Sequence, residues 1–174
     1  QMGRLPDALR FLASEQRIMT PSICVRRAVY EQLGGFHPAL RCAEDWEMWV
    51  RIARDYPIAY IPEPMAAYRM QQSSNTGRNM RSARDVFFNG LAIELIRSHL
   101  PPDIAGKTAA TARRVYAGSA LITARDYARK GDIGAALTQT RDAVKLDGSA
   151  STLLAAARTL TRIVSGALRK VFVA

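Results

Sequence analysis

The chain has little of the chemistry that metal or thiol sites are built from: two cysteines, Cys24 and Cys42, and two histidines, His37 and His99, in 174 residues. None of the four has a Cys, His or carboxylate partner at ligand spacing, and two thiols are too few for a disulfide framework. A reducing compartment is the expectation. Long apolar runs are missing too. The longest, such as Leu153–Ala157, extend only a few residues, so nothing in the sequence reads as crossing a bilayer. No Gly-rich phosphate loop, serine-nucleophile elbow, zinc pattern or Asp-x-Asp pair occurs.

The rest of the composition is globular. Hydrophobic residues make up 48% and charged residues 23%, which excludes whole-chain disorder and collagen. The length suits one ordinary domain, or one plus a small appendage. Gln1 is not Met and no charged-then-apolar leader follows it, so the chain reads as starting inside a longer protein. Acid is scarce in the second half. Residues 1–80 hold 10 Lys/Arg and 8 Asp/Glu, whereas residues 81–174 hold 15 and 7, so most of the net +10 lies there. A basic half suits an anionic partner (nucleic acid, a lipid surface or phosphate-bearing substrates), and equally a soluble protein that favours Arg.

The character of the sequence changes near residue 80. Before it lie both Trp, four of six Tyr and six of eight Pro. Ser22–Val25 reads as a short strand, 28–33 as a short helix closed by Gly34-Gly35, and Glu44–Asp55 as a helix stopped by Pro57. Ile58–Ile61 and Met65–Tyr68 read as strands divided by Pro62-Glu63-Pro64. After residue 80 helical spacing takes over, with helices expected at 81–100, 108–129, 133–146 and 151–171. Tyr127-Ala128, Gly131-Asp132, Ala135-Ala136-Leu137 and Ala143-Val144 resemble one tetratricopeptide unit. The last helix is amphipathic: Arg158, Arg162, Ser165 and Arg169 share one face, and Leu153, Leu160, Val164, Ala167, Leu168 and Val171 the other. It either docks on the bundle by that apolar face or lies on an anionic membrane surface.

One constellation stands above the rest. In order it is Thr20-Pro21-Ser22, Arg26-Arg27, Leu33-Gly34-Gly35-Phe36, then Glu44-Asp45-Trp46-Glu47 through Arg51, Pro62-Glu63-Pro64 and Tyr68-Arg69. This series resembles the C-terminal, acceptor-side half of the catalytic domain of family 2 glycosyltransferases, over roughly residues 5–80. The resemblance implies an α/β fold, an incomplete glycosyltransferase A-type domain over residues 1–80, followed by an all-α helical extension over 81–174. It also implies inverting transfer of a sugar from a nucleotide-diphosphate sugar to an acceptor hydroxyl.

By this likeness Asp45 is the catalytic base, which an alcohol nucleophile needs because its proton must leave as it attacks. Its place at a helix start favours the ionised form, and capping that helix is the alternative use. Gly34, Gly35, Phe36, Glu44 and Trp46 line the acceptor side by the same likeness. Paired glycines allow close backbone approach; they also simply stop a helix. Trp46 and Trp49 offer a stacking face or core, and Arg51 reads as a surface partner for Glu47. Arg69 and Gln71 fall where relatives meet the donor diphosphate, although relatives often carry His at the position of Gln71. No metal ligand is expected in this chain. A divalent metal (Mg or Mn) and the nucleotide would be held by an absent N-terminal half, so the chain alone is expected to be inactive. The role implied is surface polysaccharide or glycolipid synthesis, cytoplasmic or peripheral at the inner membrane face, with no nucleic acid partner. The competing reading is a non-enzymatic helical binding module that retains the motif as a relic.

Overall fold

Helix dominates the observed structure. A computed structural model describes residues 2–67 and 75–172, and side chains over 2–67 and 76–166. In it 69% of the chain is helical and one two-stranded antiparallel ribbon is the only sheet among the described residues. The α/β expectation, an A-type glycosyltransferase half, is therefore corrected to an essentially all-α fold.

The expected strands fail individually. Thr20–Ser22 is a short 3-10 turn that runs into irregular chain where a strand at Ser22–Val25 was expected. Of Ile58–Ile61 only β2 (Ala59–Tyr60) pairs, with β1 (Gly3–Arg4), and residues 65–67 form no strand. The physical reason is that a four-residue apolar run specifies no partner. With only a two-residue partner available, the ladder ends after Ala59–Tyr60. Ile61 and Met65 accordingly remain 47% and 74% exposed.

The expected helices keep their places with shifted ends, and short helices at Ala8–Ala13 and Asn75–Arg81, which the sequence pattern does not predict, are added. They are α1 (Ala8–Ala13), α2 (Arg27–Leu33), α3 (Glu44–Asp55), α4 (Asn75–Arg81), α5 (Arg84–His99), α6 (Pro102–Arg129), α7 (Ile133–Leu146) and α8 (Ala150–Phe172). The expected helix at 81–100 starts late because Ala83 takes a left-handed φ of 53°, which separates α4 from α5. The helix expected from residue 108 begins instead at Pro102. Proline suits a first helical position, where its missing N–H costs nothing.

The chain divides into two compact units, one of residues 1–70 with 91–112 and the other of 71–90 with 113–174. In the first, α3 packs on α1 and buries almost its whole circumference: Trp46, Glu47, Met48, Trp49, Val50 and Ile52. Both indoles are fixed by backbone carbonyls, Trp46 Nε1 donating to Leu12 O at 2.7 Å and Trp49 Nε1 to Ile18 O at 3.1 Å. A buried indole N–H needs such a partner.

In the second unit the core is built of small residues, Ala83, Val86, Ala117, Ala120, Leu121, Ala143 and Ala156. The helix pair that resembles a tetratricopeptide unit turns at Gly131, whose φ is 85°. Asp132 then caps α7 by accepting from Ala135 N at 3.1 Å, and its other oxygen meets Arg81 Nε at 2.8 Å. Ser149 starts α8, accepting from Thr152 N while its hydroxyl donates to Asp147. α8 docks on α7, but the residues it buries are Thr152, Ala156, Thr159 and Ile163. Of the two placements open to the face of Leu153, Leu160 and Val164, docking on the bundle is not observed: these residues stay exposed. Ala167, Leu168 and Val171 lie outside the described side chains.

One buried group in this unit gives stability a pH dependence. Asp85 accepts from Gln139 Nε2 at 3.0 Å. Burial nevertheless pushes its carboxyl above the ordinary 3.8, more than the Gln139 hydrogen bond pulls it down. The folded chain therefore keeps this proton to higher pH than the unfolded chain does. Stability should fall as pH rises from the ordinary carboxylate value through the raised one. Denaturant midpoints measured against pH should lose that downward slope in Asp85→Asn.

Candidate functional site

The residues of the motif gather around the first two turns of α3. The chain enters that helix through Ala43, at a left-handed φ of 64°, and its first turn carries Glu44, Asp45 and Glu47. Carboxylates there complement the positive end of the helix dipole. Asp45 is half-buried, and Thr20, twenty-five residues earlier, donates its hydroxyl to Asp45 Oδ2 at 2.8 Å. Trp46 N donates to Asp45 Oδ1 at 2.8 Å. These two bonds hold the carboxylate while leaving lone pairs on both oxygens, since an ionised carboxylate offers about four acceptor positions. Beside it, Glu44 Oε2 is buried and meets no hydrogen-bond donor among the described residues.

Asp45 and Trp49 stand one turn apart and share a face of α3. The segment Ile18–Thr20 runs along that face, touching Trp49 at one end and Asp45 at the other. Phe36 reaches the same tryptophan from another side. Its ring lies edge-on to Trp49 at 6.1 Å and to Tyr30 at 6.4 Å, and is 46% exposed. Phe36 is thus the aromatic surface a ligand can reach. Trp46, expected on the acceptor side, is buried at 0% exposure and belongs to the core.

Arg51 ties the glycine turn to this helix. Its Nε and one terminal nitrogen meet the two oxygens of Glu47 at 2.8 and 2.9 Å. The remaining donors reach Leu33 O at 2.6 Å and Gly35 O at 2.9 Å. The two carbonyls flank Gly34, whose φ of 80° an L side chain rarely adopts. Gly35 has open space where a side chain would be, so ligand can approach its backbone. Arg51 therefore differs from the surface partner expected: its side chain is 13% exposed and that of Glu47 1%.

His99, expected only to complement a helix end, completes the cluster through Nε2 at 3.0 Å from Glu47 Oε1. Burial pushes the Glu47 carboxyl up, but the hydrogen bonds and charges of His99 and Arg51 outweigh it and hold the group below 4.5. Sequence spacing pointed to the Glu47–Arg51 pair, one turn apart. Nothing local pointed to His99 or to the Thr20–Asp45 bond, which join distant segments.

Arg69 and Gln71 lie outside the described residues. Among the described residues no three His, Cys, Asp or Glu side chains are grouped to hold a metal ion, and no helix is long and apolar enough to cross a membrane. Comparison with protein-family models, with curated proteins and with solved structures finds no match.

Proposed function

We propose that this face of α3 is the acceptor side of an inverting sugar transferase with Asp45 as its base. The reading is supported by convergence: Thr20 and the Gly34–Phe36 turn are distant in sequence from α3, yet that helix gathers them, Thr20 on Asp45 and the turn on Trp49 and Arg51. The fold lends no support, since it is not the A-type half. Function resides in sites, and the site alone carries the reading.

In the reaction, Asp45 accepts the proton of the acceptor hydroxyl as that oxygen attacks the anomeric carbon of a nucleotide-diphosphate sugar. The bond from that carbon to the diphosphate oxygen breaks, its electron pair leaves with the diphosphate, and the configuration inverts. Thr20 fixes the carboxylate, and Gly35 with Phe36 provides an approachable backbone and a ring for the apolar face of a sugar. The described residues do not furnish a metal site, and no step here runs through one. Nucleotide binding and any divalent metal fall to a half carrying Asp-x-Asp. The setting is the cytoplasmic face of a membrane, in surface polysaccharide or glycolipid synthesis.

With such a half supplied in cis, product NMR should show the anomeric configuration opposite to that of the donor. A retained configuration contradicts direct displacement. A helical binding module is the second reading, favoured by the exposed apolar face of α8; it expects no transfer at all.

A further inference from the structure

α8 turns its more apolar face to solvent. Leu153, Leu154, Leu160 and Val164 are 47%, 54%, 40% and 56% exposed, although Thr152, Ala156, Thr159 and Ile163 bury. At about 100° per residue the exposed four, with Ala157, form a stripe roughly 120° wide that Thr161 alone interrupts. An apolar face of this kind on an already docked helix marks a contact surface.

Charge decides what it contacts. The second unit holds 14 Lys/Arg against 5 Asp/Glu, a net +9 of the chain's +10. α8 itself carries Arg158, Arg162, Arg169 and Lys170 and no acidic residue. Leu154 and Arg158 are one turn apart, so a guanidinium group borders the stripe, while Arg162, a further turn on, sits toward the opposite face. Arg162 also lines a recess of about 360 Å³ together with Arg125 and Arg129, which adds to the positive field. A second copy laid along the stripe would set arginine against arginine with no carboxylate to offset them. An anionic bilayer matches both parts, with acyl chains for the leucines and phosphate for the arginines.

We propose that α8 lies in the interface of an anionic phospholipid surface, with Leu153, Leu160 and Val164 entering the acyl boundary. The helix attaches the protein peripherally. This binding needs neither sugar donor nor acceptor, so it stands or falls apart from the transferase reading.

The test is sedimentation of the full chain with vesicles of equal parts phosphatidylglycerol and phosphatidylcholine, against vesicles of phosphatidylcholine alone. Binding is expected to the anionic vesicles only, and to weaken as salt rises. Arg158→Glu should weaken it by about fivefold or more. The double change Leu160→Gln with Val164→Gln should weaken it by about tenfold or more, since each buried methylene contributes about fourfold. Both variants alter exposed positions, and circular dichroism checks that the helices remain. Absence of binding to anionic vesicles, equal binding to neutral ones, or indifference to both variants overturns the proposal. So does a dimer in solution that the double change dissociates, because the stripe would then be occupied by a second copy.

Discussion

Asp45→Asn is expected to reduce sugar transfer by about 10²–10⁴-fold, the usual contribution of a positioned general base. The measurement is kcat for the chain joined to a nucleotide-binding half. The amide keeps the shape of the carboxylate and can still accept from Thr20, so circular dichroism and the denaturation midpoint should change little. It cannot take a proton. Because the lost interaction exists only as the acceptor oxygen attacks, kcat should fall while KM for the acceptor stays close to its original value. A helix-capping role makes the opposite forecast: a small loss of stability and no loss of rate. Thr20→Val separates positioning from chemistry. It removes the 2.8 Å bond that orients Oδ2 and should lower kcat less than Asp45→Asn does.

Arg51→Met should destabilise the first unit by about 3–5 kcal/mol, the range for stripping one partner from a buried ion pair. The substitution leaves the Glu47 carboxylate buried with His99 alone and frees the carbonyls of Leu33 and Gly35. Arg51→Lys keeps the charge but offers a single nitrogen, which cannot span Glu47 and both carbonyls, so an intermediate loss is expected. Urea denaturation at neutral pH checks both. The pH profile adds a sign. Glu47 is held below its ordinary 4.5, so its contribution is present above that value and is lost as pH falls through the lowered one. That acid-side loss should be reduced in Arg51→Met. It is opposite in direction to the slope expected from Asp85.

What the sequence made legible follows the range of the interactions. α3 and α7 are visible because their apolar period and their flanking Pro57 and Gly131-Asp132 are local. The Gly34-Gly35 stop is visible for the same reason, and the structure puts Gly34 at positive φ. The strands misled because Ile58–Ile61 has the composition of a strand but finds only the two-residue partner Gly3–Arg4. The α8 face misled for a packing reason. The second unit's core is lined by Ala117, Ala120 and Ala143, and such a surface allows close approach of a helix through Thr152, Ala156 and Thr159. Periodicity showed that α8 was amphipathic; it carried no information on which side would dock.

At the site the same limit applies. Glu47 and Arg51 are one turn apart and were legible as a pair, yet their burial depends on α1, the Gly34-Gly35 turn and His99, fifty-two residues away. Trp46, expected on the acceptor side, joins Trp49 in the core because Leu12 O and Ile18 O, more than thirty residues away, accept from their indole N–H groups.

The most direct measurement is an amide NMR titration of the chain with oligosaccharide acceptors, since three separate segments are held to form one acceptor site. The expected result is that Thr20, Gly34, Gly35, Phe36 and Asp45 shift together with one dissociation constant, and that Asp45→Asn leaves this binding in place. Acceptors that move none of these amides, or that move only residues of the second unit, would contradict the assignment.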